Sequence, residues 1–213
     1  MANEPIQEVQ ENTQVQEAPK QGGVLDDICD ILETIFISIF VVILLFAYAI
    51  RPVTVEGHSM ESTLQDGDTL LMSDFLYTPE AGDIVIVDND YAYLLDTDGE
   101  VYESRGLDSG NRLIKRIIAV PGDTLDINFD TGTVYINGEA IEEDYIQGST
   151  IYDEGGFTYP ITIPDGYYFV MGDNRQNSTD SRSPYVGLIP EDAILGKAVL
   201  RITPFSNFGS IYD

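Results

Sequence analysis

The sequence predicts a mainly β protein, in which an antiparallel β-sheet domain follows one N-terminal transmembrane helix. Three features predict this fold class. A continuous apolar run occupies positions 31–50, short β-forming runs separated by turn residues fill the rest of the chain, and no long amphipathic helical pattern follows the apolar run. The part after the apolar run, roughly 160 residues, has the size of one ordinary domain.

The apolar run predicts a membrane anchor. Its 20 residues, ILETIFISIFVVILLFAYAI, would span about 30 Å as a helix, which is the thickness of a bilayer core. We place the transmembrane helix at residues 29–51, because Arg51 and Pro52 end the pattern. Residues 1–28 precede it as an acidic tail, which we predict to be disordered because positions 1–23 hold few large apolar groups.

The apolar run has two other interpretations. A buried soluble helix would carry an apolar stripe, whereas positions 35–50 are apolar all round. A cleaved signal peptide is suggested by the small-x-small motif Ala47-Tyr48-Ala49. However, acidic residues stand before the run, where a signal peptide has Lys or Arg. A retained anchor is therefore the favoured interpretation.

After Pro52 the sequence alternates between β-forming runs and turn residues. The runs are rich in Val, Ile, Tyr and Phe, and Gly, Pro, Asp and Asn separate them. Residues 123–138, DTLDINFDTGTVYING, predict a hairpin that turns at Asp130-Thr131-Gly132. The predicted strands include TLLMSD (69–74), DIVIVD (83–88), LIKRIIAV (113–120), TVYIN (133–137) and YYFVMGD (167–173).

Residues 88–112 are rich in Asp, Tyr and Gly, and we predict a solvated loop insertion there, within a β domain that covers residues 52–213. Two alternatives exist. YAYLL and EVYES could pair as a loose hairpin around Asp96-Thr97-Asp98-Gly99. A calcium loop fits less well, because Leu94 and Arg105 would occupy two ligand positions of the EF-hand pattern.

Charge and composition argue against several classes of function. The chain has 10 basic and 37 acidic residues, a formal net charge of -27, so it lacks the clustered Lys and Arg that nucleic-acid binding needs. With one Cys and one His, it can form neither an intramolecular disulfide nor a zinc site of His and Cys. His58 directly precedes Ser59, and neighbours in an extended chain point to opposite faces, so His58 is badly placed as a base for that serine.

Lys115 is a candidate general base. In a strand over 113–120, Leu113, Lys115, Ile117 and Ala119 share one face. Burial among such apolar neighbours would lower the pKa of the amine and raise its neutral fraction at pH 7. The spacing alone favours another interpretation, an exposed edge lysine that prevents aggregation.

Two other segments carry candidate polar groups. Gly57-His58-Ser59-Met60 follows a short β-forming run, VTV, and leads into a turn, where a serine hydroxyl can be exposed. Residues 172–182, GDNRQNSTDSR, hold many hydrogen-bonding side chains and predict a polar scaffold tied by Asp–Arg pairs. Composition alone leaves open an ordinary serine in the first segment and a surface loop with ion pairs in the second.

These segments, in this order, resemble the sequence boxes of bacterial type I signal peptidases, in particular those of Gram-positive type. The family boxes read G-x-S-M after a membrane anchor, K-R-[IV]-x-x-x-P-G-D, and G-D-N-R-x-x-S-x-D-S-R. They correspond here to residues 57–60, 115–123 and 172–182. GDIVIV at 82–87 resembles the intervening box. The resemblance covers most of residues 53–204 and fails over the loop at 88–112.

The resemblance implies a β-sheet domain of signal-peptidase type and a serine endopeptidase that removes N-terminal signal peptides from exported preproteins. Ser59 matches the family nucleophile, whose backbone N–H would donate to the oxyanion, and Lys115 matches the general base. Ser178 matches the serine that orients the lysine amine. Asp180 and Arg182 match the pair that braces the site. Such chemistry needs no metal and no organic cofactor.

The resemblance also implies a substrate and a location. Family members accept preproteins with small residues at the -1 and -3 positions, and Val53, Val55 and Ile114 align with the walls of those pockets. The protein would be a single-pass protein of the cell membrane, with its N-terminus in the cytoplasm and its catalytic domain outside. Ser59 follows the apolar run by eight or nine residues. Even fully extended, these reach no more than about 30 Å, so the serine stays near the bilayer.

Two positions depart from the family pattern. Ser62 stands where the family often has a proline, two residues after the methionine. Gly57 stands where some members place a serine as a second oxyanion donor. Loss of such a donor can cost about 3 kcal/mol, so the sequence leaves part of the oxyanion hole unassigned.

Two other functions compete with this interpretation. A self-cleaving repressor-type peptidase of the same β architecture would carry a helical DNA-binding module, and the N-terminus has neither the basic charge nor the helices for one. A catalytically inactive, membrane-tethered β domain that binds secreted or cell-wall partners is the alternative from another class. The complete set of matched polar residues argues against it.

Overall fold

The computed structural model describes residues 23–48, 50–107 and 112–212. The chain divides into two compact units, the first ending at Ile43 and the second beginning at Leu44. The described part of the first unit is helical, and the second holds all of the described strands. The predicted fold class is confirmed, because one N-terminal apolar helix precedes a domain of mainly antiparallel β-sheets.

The helix, α1, covers Val24–Tyr48 and therefore begins at Val24 rather than at residue 29. Its start is favoured by Gly23, whose N–H donates to Asp26 Oδ2 at 3.0 Å, and by the acidic side chains of Asp26 and Asp27 in the first turn. Residues 24–28, which we assigned to the tail, are thus helical. The rest of that tail, residues 1–22, lies outside the described residues.

The apolar part of α1 has the properties of a membrane span. Val24–Leu45 is long and apolar enough to cross a bilayer, by length and composition. Its side chains are all exposed, which suits a helix whose apolar surface faces lipid. Ala49, the last residue of the small-x-small motif, lies outside the described residues.

Thirteen strands form three sheets in the described part of the chain. They are β1 (Arg51–Thr54), β2 (Thr69–Ser73), β3 (Ile84–Asp88), β4 (Tyr91–Leu95), β5 (Val101–Arg105), β6 (Arg112–Ala119), β7 (Thr124–Asn128), β8 (Thr133–Ile136), β9 (Glu139–Ala140), β10 (Ile161–Thr162), β11 (Tyr167–Met171), β12 (Ile189–Pro190) and β13 (Ile194–Thr203).

The largest sheet has seven strands in the order β1-β2-β13-β3-β6-β11-β12, and its neighbours pair antiparallel. In β3, Ile84 to Val87 are buried on both faces, because Ile84 and Ile86 pack in one apolar cluster and Val85 and Val87 in another. This explains why its sequence is a continuous run of Val and Ile rather than an alternating one. The order also places β6 next to β11, which brings the segments at 115 and 172 together.

The predicted hairpin at 123–138 is confirmed. β7 pairs antiparallel with β8, with Leu125 opposite Ile136 and Asn128 opposite Thr133. β7 alternates between exposed and buried residues, the pattern of a strand with one face on the core. Gly132 supplies the positive φ of the turn, at +72°.

The segment 88–112 is not a loop throughout. β4 and β5 pair antiparallel in the register Tyr91 opposite Arg105 and Leu95 opposite Val101, so the YAYLL/EVYES hairpin forms. The Asp96 carboxylate closes the turn by accepting hydrogen bonds from the N–H groups of residues 98 and 100 at 2.9 Å. Aromatic and branched side chains flank an Asp-rich turn, and these local preferences outweigh the polar composition. Residues 108–111 lie outside the described residues.

Three buried apolar clusters support the sheets. One of them lies under the serine segment and includes Val55, Met60, Leu64 and Ile86. Another joins the 123–138 hairpin to β11, and its centre is Phe169. The serine segment is therefore fixed by apolar packing on the side that faces the sheet.

Phe169→Ala should lower the free energy of unfolding by about 3–5 kcal/mol, because removal of the ring leaves a large cavity in a close-packed cluster. The Phe169 ring is fully buried and lies 5.9 Å from the Phe157 ring and 6.3 Å from the Tyr159 ring, centroid to centroid. Urea unfolding of the detergent-solubilised protein measures the change. Phe205→Ala is the control, since Phe205 is 84% exposed; an equal loss in both variants would contradict the packing account.

Candidate active site

Ser59 lies on a turn that follows β1 and packs on the core. Gly57 turns the chain with a φ of +88°, which favours glycine, and its N–H donates to Asp66 Oδ1 at 2.8 Å. Met60, directly after the serine, is 1% exposed. A buried residue on one side and a glycine turn on the other hold Ser59 at the edge of the sheet.

The histidine beside Ser59 interacts with a side chain other than that serine. His58 Nδ1 lies 2.9 Å from Glu61 Oε1, and the His58 side chain is exposed. This agrees with the expectation that His58 does not serve as the base for Ser59. Ser62, which replaces the proline frequent in the family, donates a hydrogen bond to the Tyr145 carbonyl at 3.1 Å. A hydrogen bond thus restrains the turn at this position.

Lys115 lies on β6 and faces Ser59. Its Nζ is 2.7 Å from Ser59 Oγ and 3.1 Å from the Ile114 carbonyl oxygen, and the residue is 3% exposed. The amine is therefore buried and in hydrogen-bond contact with the serine hydroxyl. The exposed edge lysine, which spacing alone favoured, is not what the structure contains.

Burial lowers the pKa of Lys115 from 10.5 to about 8, because the charged amine has lost its hydration. The carboxylates of Asp180, Asp173 and Glu154 oppose the shift, whereas the Arg182 guanidinium adds to it. A pKa of about 8 leaves roughly one amine in ten neutral at pH 7, compared with a few in ten thousand for an ordinary lysine. The site thus contains a lysine that can accept a proton near neutral pH.

Asp180 and Arg182 form a fully buried ion pair beside Lys115. Arg182 donates from Nε to Asp180 Oδ1 and from Nη2 to Oδ2, both at 2.8 Å, and the Gly172 N–H donates to Oδ2 at 2.9 Å. Burial alone would raise the pKa of Asp180, but the hydrogen bonds and charge of Arg182 hold it below its usual value. The carboxylate is therefore ionised and already engaged by a permanent cation.

Ser178 has a different partner from the one the resemblance implies. Its hydroxyl donates to Asp180 Oδ2 at 2.8 Å. No hydrogen bond joins it to Lys115, although the structure describes both residues. Two residues separate Ser178 from Asp180, so this local bond forms within the segment itself.

Gly172 is required by the close approach of the two serines. A Cβ at this position would lie 2.2 Å from Ser178 Oγ and 2.4 Å from the Ser59 carbonyl oxygen. Both distances are far below van der Waals contact, so a larger residue would push the segments apart. Sequence reasoning did not single out Gly172 as a site residue, and its only signal was its place in the G-D-N-R box.

The segment after Gly172 is tied to both halves of the site. Asp173 accepts two hydrogen bonds from Arg116, from Nε to Oδ1 at 2.8 Å and from Nη2 to Oδ2 at 2.7 Å. Asn174 donates from its backbone N to the Ser59 carbonyl at 3.0 Å. The sequence could not predict these hydrogen bonds, because each joins residues more than 50 positions apart.

A cleft of about 650 Å³ opens beside Ser59 and Lys115. Val53, Val55 and Ile114 contribute to its walls. Val55 also belongs to the core cluster under the serine segment, and Val53 and Ile114 pack against that cluster. All three are therefore both core and cleft wall.

A serine hydroxyl against a buried, partly neutral lysine, at the edge of an open cleft, is typical of serine peptidases in which lysine replaces histidine. The family model for signal peptidase, peptidase S26, matches residues 28–203. The chain belongs to this family.

Two similar sequences agree with that assignment. The chain is 33% identical to probable signal peptidase I-1 of Synechocystis sp., over 83% of each chain, and 34% identical to signal peptidase I of Bacillus licheniformis, over 82% of this chain and 88% of the relative. A crystal structure of a signal peptidase I from Enterococcus faecalis is 27% identical, covers 58% of this chain and 98% of its own, and gives a TM-score of 0.42.

The family assignment identifies the protein as an enzyme, a serine endopeptidase of the signal peptidase I type. Together with the apolar helix α1, it indicates a membrane-anchored protein. The family assignment was made from the resemblance of the sequence boxes and is confirmed.

Asp180→Asn should destabilise the protein by about 3–5 kcal/mol, because it removes the closer carboxylate of the fully buried Arg182 and leaves only Glu154 Oε1, at 3.7 Å. Asp74→Asn makes the same chemical change in the exposed pair of Asp74 with Arg51 and should cost at most about 1 kcal/mol. Thermal unfolding of the two variants in detergent compares them. Equal shifts in melting temperature would show that burial of the Asp180 pair has no special weight.

Proposed function

We propose that this protein removes N-terminal signal peptides from exported preproteins, with Ser59 as the nucleophile and Lys115 as the general base. One observation carries the assignment of roles: the buried Lys115 amine lies 2.7 Å from Ser59 Oγ, in a cleft open to a peptide. Membership of the signal peptidase family supports the choice of substrate.

The first half of the reaction acylates the serine. The neutral Lys115 amine takes the Ser59 hydroxyl proton while Oγ forms a bond to the carbonyl carbon of the scissile peptide. The carbonyl electrons move onto its oxygen and create a tetrahedral oxyanion. Collapse of this intermediate breaks the C–N bond. The Lys115 ammonium returns the proton to the leaving amine, which is the new N-terminus of the mature protein.

The second half frees the enzyme. Lys115, neutral again, takes a proton from a water molecule as the water oxygen attacks the acyl-Ser59 ester. The second tetrahedral intermediate collapses by breaking the bond to Ser59 Oγ. The proton passes from Lys115 to that oxygen, and the signal peptide leaves with a free carboxylate. Each proton transfer uses one side chain already in hydrogen-bond contact with Ser59, so the scheme requires no metal and no organic cofactor.

Asp180, Arg182 and Ser178 support Lys115 rather than react. Arg182 occupies both carboxylate oxygens of Asp180, which weakens the tendency of that carboxylate to keep Lys115 protonated. Ser178 adds a further hydrogen bond to Asp180 and fills the space beside Gly172. In this scheme Ser178 acts on the lysine through the Asp180 pair.

The oxyanion would be stabilised by the backbone N–H of Ser59. Gly57 provides no side-chain donor, so the Ser59 N–H carries more of the stabilisation than it would beside a serine at that position. Correct orientation of one peptide group therefore becomes a strong constraint on the rate.

The cleft suits a substrate with small residues near the cleavage site. Val53, Val55 and Ile114 give it apolar walls close to Ser59. We assign these walls to the residues at the -1 and -3 positions of the preprotein, where shallow apolar pockets accept small side chains and exclude large ones.

The anchor would hold the site at the outer surface of the cell membrane, with the tail before α1 in the cytoplasm, the transmembrane segment within α1 and the peptidase domain, which begins with β1, outside. The short connection supports this arrangement, because the few residues between the apolar run and Ser59 keep the serine within about 30 Å of the bilayer. A preprotein whose signal segment is still in the lipid presents its cleavage site at that distance. The lipid bilayer is thus a partner of the reaction.

The alternative, an inactive tethered β domain that binds secreted or cell-wall partners, is not favoured. A binding module has no need for a lysine that titrates near pH 8 against a serine hydroxyl. The family assignment points to an enzyme as well.

Ser59→Ala and Lys115→Ala should each abolish cleavage of a preprotein by the detergent-solubilised protein, because the first removes the nucleophile and the second its base. Electrophoresis and mass spectrometry of the product locate the cut after a small residue. Asp74→Ala, in an exposed pair that does not line the cleft, is the control and should cleave like wild type. Equal cleavage by all variants would overturn the roles, and no cleavage by wild type would favour the binding module.

The cleavage rate should rise with pH through about 8 and level off above it. The active form of Lys115 is the neutral one, and burial has lowered its pKa to about 8, so the active fraction grows tenfold per pH unit below that value. Single-turnover kinetics with excess enzyme, from pH 6 to 10, report the acylation step itself. A flat profile over this range would contradict the role of Lys115 as base.

A further inference from the structure

Asn174 contacts the serine turn twice. Its side-chain Nδ2 donates to the His58 carbonyl at 3.0 Å, and its backbone N donates to the Ser59 carbonyl at 3.0 Å. Asn174 itself is 7% exposed. One buried residue thus holds the two consecutive carbonyl groups that flank the serine.

The first of these bonds fixes the peptide group that carries the Ser59 N–H. The His58 carbonyl and the Ser59 N–H belong to one planar trans peptide unit, and in such a unit the C=O and the N–H point in opposite directions. A donor that holds the His58 oxygen on one side therefore aims the Ser59 N–H to the other side.

We propose that Asn174 is a positioning residue, which orients the His58–Ser59 peptide so that its N–H stabilises the oxyanion. The inference rests on the proposed function and deepens it, since it assigns to a named side chain the preorganisation of the oxyanion hole. A hydrogen bond to the carbonyl also polarises the whole peptide group and strengthens its N–H as a donor. With Gly57 in place of a side-chain donor, this contribution has no substitute from that position.

A closed ring of contacts connects Asn174 to the general base. Lys115 touches Ser59, and its chain neighbour Arg116 holds Asp173 through two hydrogen bonds. Asp173 precedes Asn174, which returns to Ser59. Every link is a covalent bond or a hydrogen bond of 3.0 Å or less. The nucleophile, its base and its oxyanion donor are therefore set in place by one ring.

Asn174→Ala tests the proposal, because it deletes the amide donor and keeps the backbone bond to Ser59. We expect kcat for preprotein cleavage to fall about 10–100-fold, less than the 10²–10³ typical of a donor that contacts the oxyanion directly. KM should stay within about twofold and the midpoint of the pH–rate profile should not move, since neither the cleft walls nor Lys115 is altered.

A peptide aldehyde ending in Ala-x-Ala supplies a readout that a purely structural role would not move. Ser59 Oγ adds to the aldehyde carbon, and the resulting hemiacetal oxygen occupies the oxyanion position. Asn174→Ala should weaken binding of this aldehyde by about the factor lost in kcat, and should leave the affinity for the matching peptide with a free carboxylate unchanged.

Asn89→Ala is the matched control. Asn89 is equally buried and donates from Nδ2 to the Tyr185 carbonyl at 3.0 Å, so its loss removes the same kind of bond away from Ser59. It should lower the melting temperature to a similar extent without a comparable fall in kcat. Asn174→Leu, which keeps the size and loses the donor without adding a charge, serves for the same measurements should the alanine variant not fold.

The outcomes separate the two hypotheses. Wild-type cleavage that depends on Ser59, together with an Asn174 variant whose kcat matches that of Asn89→Ala, would overturn the positioning role alone. A raised KM or a shifted pH midpoint at unchanged kcat would overturn it as well, since Asn174 would then shape the cleft or the lysine. Cleavage that does not depend on Ser59 would overturn the proposed function, and this inference with it.

Discussion

The contact between the buried Lys115 amine and Ser59 Oγ is the interaction on which the rest of the site depends. An amine can accept the serine proton only when it is neutral, and burial is what makes it neutral near physiological pH. Burial alone is insufficient, because Asp180 and Asp173 stand close enough to favour the charged form. Each of these carboxylates is engaged by two hydrogen bonds from an arginine, Arg182 or Arg116, so the opposing charge is largely balanced.

Close packing fixes this electrostatic balance in space. Gly172 leaves no room for a Cβ between Ser59 and Ser178, and the residues after it bind the serine turn through Asn174 and β6 through Asp173. The segment 172–182 therefore contacts both the serine turn and the lysine strand and fixes their positions. Its high density of polar side chains is explained by this role, since each buried polar group must find a partner within the protein.

How much the sequence predicted depended on whether a feature was local or long-range. The strands at 83–88 and 113–120 were predicted from their own residues, and so was the 123–138 hairpin, because β propensity and turn chemistry act over a few positions. The hydrogen bond from Ser178 to Asp180 was not predicted, and Asn174 was given no individual role. Their contacts depend on how the chain segments are brought together, and the bond from Asn174 to His58 spans 116 positions. The hairpin at 91–105 was predicted only as an alternative to a loop, because its many polar residues obscured a regular strand pattern.

The neighbouring cations Lys115 and Arg116 show how one strand divides two electrostatic tasks. Successive residues of a strand point to opposite faces, so β6 directs the amine to Ser59 and the guanidinium to Asp173. In the proposed reaction the first cation must be able to lose its proton, and lysine does so when it is buried. The second must remain charged to bind Asp173 in the segment 172–182. Burial alone would lower the pKa of Arg116, but the hydrogen bonds to Asp173 raise it. Exchange of the two residue types would place a permanent charge against the serine and a titratable one in the scaffold, so the order lysine then arginine follows from the chemistry that each face requires.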